Sequence, residues 1–319
     1  MSRSRIVWVS AVAALCACNG PKFDPPSLIE SVRILATAAD KPYALPGDTV
    51  NMQVLAFDGR ASKPAPMGVW WIPSACIDPA NDLYYACYAS FGSRFKPGMD
   101  LTSQLTAGTS LSFQLPSDII TSHPSTGGEP YGLAVTFVIA CAGHVEYTPL
   151  PAGGAPDALP FGCFDSNHNQ LGADDFVFAY SLVYAFADQT NANPVITGVT
   201  FNGGAVDPMS GFTVPHCTDS DIDKCPTNSV DTSVPASSQE VYLSTGGTSL
   251  KEEVWIDYYL TGGKVKNDTE ILYDPNAGAL SNTADDLYAP QGSGSYEFWA
   301  VVHDNRGGCS WLQVPMQAN

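Results

Sequence analysis

The chain has 319 residues, 45% of them hydrophobic and 14% charged, with 32 Asp and Glu against 14 Lys and Arg. That apolar content excludes a disordered chain, and a net charge of −18 repels phosphate backbones, which excludes nucleic acid as a partner. Glycine (28) and proline (25) are abundant beside 11% aromatic residues, which predicts many turns between aromatic and β-branched strands in an all-β protein.

At the start, Arg3 and Arg5 precede an apolar run from Ile6 to Leu15, and polar Asn19, Gly20, Pro21 and Lys22 follow soon after. The run is about half of the roughly 20 apolar residues that a spanning helix needs. It has the layout of a secretory signal. Ala13 and Leu15 ahead of Cys16 fit an ordinary cleavage site poorly, whereas Leu15-Cys16-Ala17-Cys18 resembles the lipobox of bacterial lipoproteins. The resemblance implies a signal peptide over 1–17 and a lipid on Cys18. With Asn19 rather than Asp next, it also implies sorting to the outer membrane. Residues 18–27 then form the lipidated N-terminus and a proline-rich tether.

Alternation begins after the tether. Val32, Ile34 and Ala36 share a face of one predicted strand; a turn at Pro46-Gly47-Asp48 leads to a second with Val50, Met52, Val54 and Ala56. A third, from Val69 to Ile72, carries Trp70 and Trp71, which should point to opposite faces, one in the core and one outward. Leu111, Phe113 and Leu115 mark a fourth. Tyr131 to Ala142 is almost wholly apolar, and Phe176 to Ala187 sets Phe178, Tyr180, Leu182, Tyr184 and Phe186 on one face. No stretch keeps a helical period for three turns. The polar run Asp188 to Pro194 reads as a boundary with an exposed linker. A second set of strands follows: Val195 to Phe201, Glu240 to Leu243, Glu253 to Leu260 with Trp255, a hairpin turn at Gly262-Gly263, Tyr296 to Val302, and Ser310 to Val314.

The stretch Tyr288-Ala289-Pro290, Gly294 to Tyr296, Phe298 to Val302 and Asp304-Asn305-Arg306-Gly307-Gly308 resembles the end of PKD-like and other bacterial immunoglobulin-like domains. The resemblance implies two immunoglobulin-like β-sandwiches, over 28–190 and 191–319. Such domains serve display or binding, though fold does not fix function. The first expectation is a non-enzymatic envelope lipoprotein, held to the membrane by its lipid, that binds a protein or glycan or plays a structural part. A carbohydrate- or calcium-dependent binding module is the alternative, and a lipid-anchored hydrolase the third. No G-x-S-x-G elbow or H-E-x-x-H motif is present.

Seven cysteines remain after the lipobox, and an oxidising compartment pairs them, leaving one over. In an immunoglobulin-like sheet, the strand before Cys76 and the strand ending at Cys141 run antiparallel, which holds those two apart. That selects Cys76–Cys87, Cys141–Cys163 and Cys217–Cys225, with Cys309 an unpaired buried residue. No cofactor is expected beyond calcium. Asp219, Asp221 and Asp223 alternate as calcium ligands do, but Lys224 stands where Gly is wanted and Val230 where a closing Glu is wanted. A solvated, disulfide-closed loop accounts for them as well. Asp165, Asn167 and Asn169 have the same spacing, again without the Gly. His144 and Glu146 beside Cys141 offer nitrogen and oxygen donors two residues apart.

Overall fold

The computed structural model describes residues 25–124, 128–148, 158–244 and 247–319. The signal segment, Cys18 and the tether up to residue 24 lie outside them. The described chain is nearly all β, as its composition requires.

In the first half the strands are β1 (Val32–Ala39), β2 (Tyr43–Ala44), β3 (Thr49–Asp58), β4 (Gly68–Trp71) and β5 (Cys76–Ile77). A short helix, α1 (Tyr88–Arg94), precedes β6 (Thr106–Ala107), β7 (Ser110–Gln114), β8 (Gly132–Cys141), β9 (His144–Tyr147), β10 (Phe161–Phe164) and β11 (Phe176–Ala185). One sheet has the order β1-β3-β7 and the other β2-β11-β8-β4-β6, with β2 running parallel to β11. Val50, Met52 and Val54 from the first sheet meet Trp71, Val138 and Val183 from the second to form the sandwich core. A buried tryptophan on the strand beside the penultimate one is a hallmark of the immunoglobulin plan.

The second half repeats that plan. Its strands are β12 (Gly198–Phe201), β13 (Gly204–Val206), β14 (Phe212–Val214), β15 (Thr227–Ser233), β16 (Val241–Leu243), β17 (Ser249–Lys251) and β18 (Val254–Leu260). They continue with β19 (Lys264–Val265), β20 (Thr269–Asp274), β21 (Gly278–Ala279), β22 (Asp285–Tyr288), β23 (Gly294–Asp304) and β24 (Cys309–Ala318). The sheets run β13-β12-β15-β22-β19 and β14-β24-β23-β18-β20-β21, with β14 parallel to β24 as β2 is to β11. Val254, Ile256 and Tyr258 on β18 face Val230 and Leu287 across this core.

Four sequence expectations about the strands change. Trp70 and Trp71 do point to opposite faces, but neither faces out, at 9% and 0% exposure. The reason is a third layer: Tyr88 and Phe91 of α1, Leu101, Leu105 and the β9–β10 hairpin cover the outer face of β8, where Leu133, Val135, Phe137 and Ile139 lie. All ten residues of β8 are buried as a result. Second, Val32, Ile34 and Ala36 do not share a face. A bulge between Ile34 and Ala36 shifts the register, turning Leu35, Ala36 and Ala38 toward the other half.

Third, Gly262-Gly263 is no hairpin turn. β19 leaves β18 and pairs with β22 in the facing sheet. Gly263 makes that crossing with φ +84°, and a Cβ there would sit 2.4 Å from the Tyr288 carbonyl oxygen. Fourth, Glu240 to Leu243 does not extend the sheet; β16 pairs only with β17, as a separate ribbon.

The halves pack face to face. Trp299, Val301 and Cys309, on the outer face of the β23–β24 sheet, meet Ile29, Leu35, Ala36 and Ala38. Phe57 of β3 sets its ring edge-on to Trp299 at 4.8 Å. The run from Asp188 to Pro194 is therefore not a free linker. Asn191 and Pro194 are buried. The Asn193 side chain donates to the Ala39 carbonyl and accepts from the Cys309 amide.

Candidate functional sites

Two constellations hold chemistry. The first is a cleft where the halves meet. On β11, alternate residues face the third layer, and that layer ends before the strand does. Tyr184 and Phe186 are left as the floor of the opening, with Tyr43 of β2 and Tyr131 beside them. The β16–β17 ribbon supplies the far wall through Tyr242. The opening comprises two adjoining cavities of about 390 and 790 Å³, which share Glu129, Gln189, Tyr242, Leu243 and Ser244.

Arg306 anchors this wall. Its guanidinium lies between the Tyr43 and Tyr242 rings, 4.5 and 4.7 Å from their centroids. It donates to Glu252 at 3.0 Å and to the Thr190 carbonyl at 2.7 Å. Its position follows from the Asp304 to Gly308 turn, in which the Asp304 carboxylate accepts the amides of Arg306 and Gly308 at 2.8 Å each. A Cβ on Gly308 would lie 2.0 Å from that carboxylate, so the second glycine of the turn is a steric requirement. Burial pushes the Glu252 carboxyl above its usual range, Asp304 adds to this, and Arg306 with the Glu240 amide only partly opposes it.

The second constellation lies on the third layer. His144 and Glu146 sit two apart on β9 and so share a face. The turn after β10 brings His168 over them. The Asp165 carboxylate shapes that turn by accepting the amides of Asn167 and Asn169 at 2.8 and 2.9 Å. His168 adopts φ +60° there. One oxygen of Glu146 then receives His144 Nε2 at 2.7 Å and His168 Nδ1 at 2.6 Å. Burial would raise the Glu146 carboxyl, but the two histidine contacts outweigh it and hold it below the usual range. The Cys141–Cys163 disulfide ties this hairpin to the end of β8.

The aspartates named from the sequence behave differently. Asp219 accepts the Asp221 amide, Asp221 accepts the Asp223 amide and pairs with Lys224, and Asp223 pairs with Lys264. Among the described residues, the one group of three or more His, Cys, Asp or Glu gathered closely enough for a metal is His144, Glu146 and His168. His168 stands between Asn167 and Asn169 in the Asp165 loop, and no motif spacing in the sequence joins it to the pair on β9. The i, i+2 pair on β9 was the legible signal, and its third member depends on a turn. Cys76–Cys87, Cys141–Cys163 and Cys217–Cys225 are bonded, as the sequence argument pairs them. Cys309 is free and buried, its thiol pushed up to about 12 by burial, so it acts as a small apolar side chain. On the third layer the Tyr84 ring stacks on Tyr180 at 4.0 Å.

No family model matches the chain, and no curated protein matches its sequence. Among solved structures it is similar to the fibronectin(III)-like modules of CbhA from Clostridium thermocellum, at 9% identity and TM-score 0.23, covering 90% of this chain and 94% of that one. The three N-terminal domains of the outer capsid protein Hoc of bacteriophage RB49 align at 9% identity and TM-score 0.24, covering 90% and 71%. The BspA C-terminal domain of Streptococcus agalactiae aligns at 10% identity and TM-score 0.21, covering 89% and 100%. Likeness at this level decides nothing; the immunoglobulin-like assignment rests on the strand order, the parallel edge strands and the packed cores.

Proposed function

We propose that this is a non-enzymatic, lipid-anchored envelope protein that binds a neutral glycan in the cleft between its halves. The aromatic floor carries the reading. Tyr43, Tyr131, Tyr184 and Phe186 line the cleft with aromatic surface of the kind that packs on the C–H faces of sugar rings, and Glu129, Gln189 and Glu240 add polar groups that can exchange their present partners for hydroxyls. Ligand pockets commonly combine such an apolar lining with a few polar groups that fix orientation. The acidic rim and the acidic chain favour a neutral sugar over an anionic one.

Tyr242 tests the reading, because its ring lines the cleft from a peripheral ribbon. Tyr242→Ala should weaken glycan binding about tenfold, the loss of one stacked ring, and leave the strand content by circular dichroism unchanged. Calorimetry with neutral oligosaccharides checks it; full affinity in the variant, or no sugar bound by the parent chain, sinks the proposal.

Attachment is a separate part of the proposal. Cys18→Ser should abolish labelling by a fatty-acid probe, and Cys16→Ser should leave it intact. Lost labelling in Cys16→Ser alone would move the anchor.

A further inference from the structure

We infer that His144, Glu146 and His168 form a binding site for a divalent transition-metal ion, zinc being the best match. Their donor atoms all lie within 4.8 Å of one another. Both ring nitrogens contact one carboxylate oxygen, so the three donor atoms are gathered on one side of the hairpin. Donors around a tetrahedral ion at about 2.0–2.2 Å stand roughly 3.4 Å apart, so the rings need to open by less than about 1 Å.

The charge around the point favours a cation. Glu146 is 5% exposed, so its carboxylate is almost stripped of water. Asp100 is bridged to Glu146 through the backbone, and Asp165 shapes the turn that carries His168. Glu146 and Asp100 place two acidic side chains beside the cluster, and a divalent ion would offset that charge. The donor types choose the metal. Imidazole nitrogen suits zinc, copper or nickel, whereas calcium takes oxygen throughout. The aspartate loops therefore carry calcium-like spacing, while the nitrogen-bearing cluster is the convergent site.

The frame is stiff on one side and open on the other. Two donors project from a paired strand tied by the Cys141–Cys163 disulfide. The third, His168, has a side chain 67% exposed. Three protein donors leave a coordination position for water or for a donor from a partner, as in zinc sites that exchange ligands.

The test is zinc titration by calorimetry on the full, disulfide-bonded chain after chelator treatment, compared with His168→Asn. Asparagine tolerates the positive φ at this position, so the turn survives while the imidazole goes. One zinc per chain is expected, with affinity about 100-fold lower or worse in the variant, since even outer-shell changes cost 10–100-fold. Cobalt in place of zinc should give visible tetrahedral bands in the parent chain and none in the variant. Three results each overturn the inference: no saturable uptake, uptake unaffected by His168→Asn, or a variant that only loses stability while neither chain takes up zinc. Glu146→Gln is the second variant, and normal zinc affinity there also overturns it.

Discussion

Arg306→Met is expected to lower folding stability by about 3–5 kcal/mol at neutral pH, because it leaves a buried carboxylate without its cation. Glu252 is 0% exposed and accepts Arg306 at 3.0 Å and the Glu240 amide at 3.0 Å. The substitution also removes the guanidinium stacked between Tyr43 and Tyr242. The pH dependence separates the charge effect from lost packing. Glu252 has its folded-state pKa raised, chiefly by burial. Its contribution to stability is therefore full below the unfolded carboxyl value and is lost as pH rises through the folded value. Without Arg306 the folded value climbs further, and the loss at neutral pH grows. The gap between parent and variant should accordingly be widest near pH 7 and shrink toward about pH 4, where Glu252 is protonated in both. Urea unfolding at the two pH values measures this. Adding Glu252→Leu to Arg306→Met should recover much of the loss. An equal deficit at both pH values would mean that packing, not charge, is what Arg306 supplies.

Trp299→Ala is expected to cost about 3–5 kcal/mol, the range for large aromatic truncations in a core. Trp299 is 0% exposed yet lies outside the sandwich of its own half, against Phe57 and the bulged face of β1. The cavity thus opens between the halves. Two signatures follow: a lower unfolding midpoint, and faster protease cleavage in Asp188–Pro194, where Asn191 and Pro194 are buried in the parent chain. Trp299→Phe should cost much less, since the indole N–H has no hydrogen-bond partner and its removal strands nothing. A loss below about 1 kcal/mol in Trp299→Ala would show that the two faces do not stay closed in solution.

These two sites mark the limit of what the sequence discloses. Period-two alternation found the long strands, because a half-buried strand must alternate. The D-x-x-G-G turn was legible because Asp304 and Gly308 meet across four residues. The disulfides were legible for the same reason, each closing a short local loop within a known sheet order. What failed was long-range. The almost wholly apolar run from Gly132 to Cys141 carried the signal of a strand covered on both faces, yet nothing in it says which segments provide the cover. The polar run at Asp188–Pro194 looked solvated, whereas Asn191 and Asn193 use their amides to satisfy partners in the closed interface. The cleft draws on residues 43, 131, 184 and 242, which only tertiary packing brings together. His168 reaches Glu146 from 22 positions away, through one left-handed residue that no periodicity announces.

The segment just before β1 carries a mechanical consequence. Leu28 pairs in parallel with Leu260 of β18; Ile29 donates to the Leu260 carbonyl at 2.9 Å, and Leu260 donates to that of Ser27 at 2.8 Å. The chain thus clasps the second half before it builds the first. The segment Ser27 to Ile29 and Ala318 are both fastened to the same sheet, and the whole stretch from β1 to β11 hangs between them as a closed bight. Tension applied between those two points travels through the clasp and the β18–β23–β24 hydrogen bonds and leaves the first sandwich slack. Only when the clasp tears does the first half feel any force. Under load the molecule is a short strut with a shielded side arm, not two beads that stretch in turn.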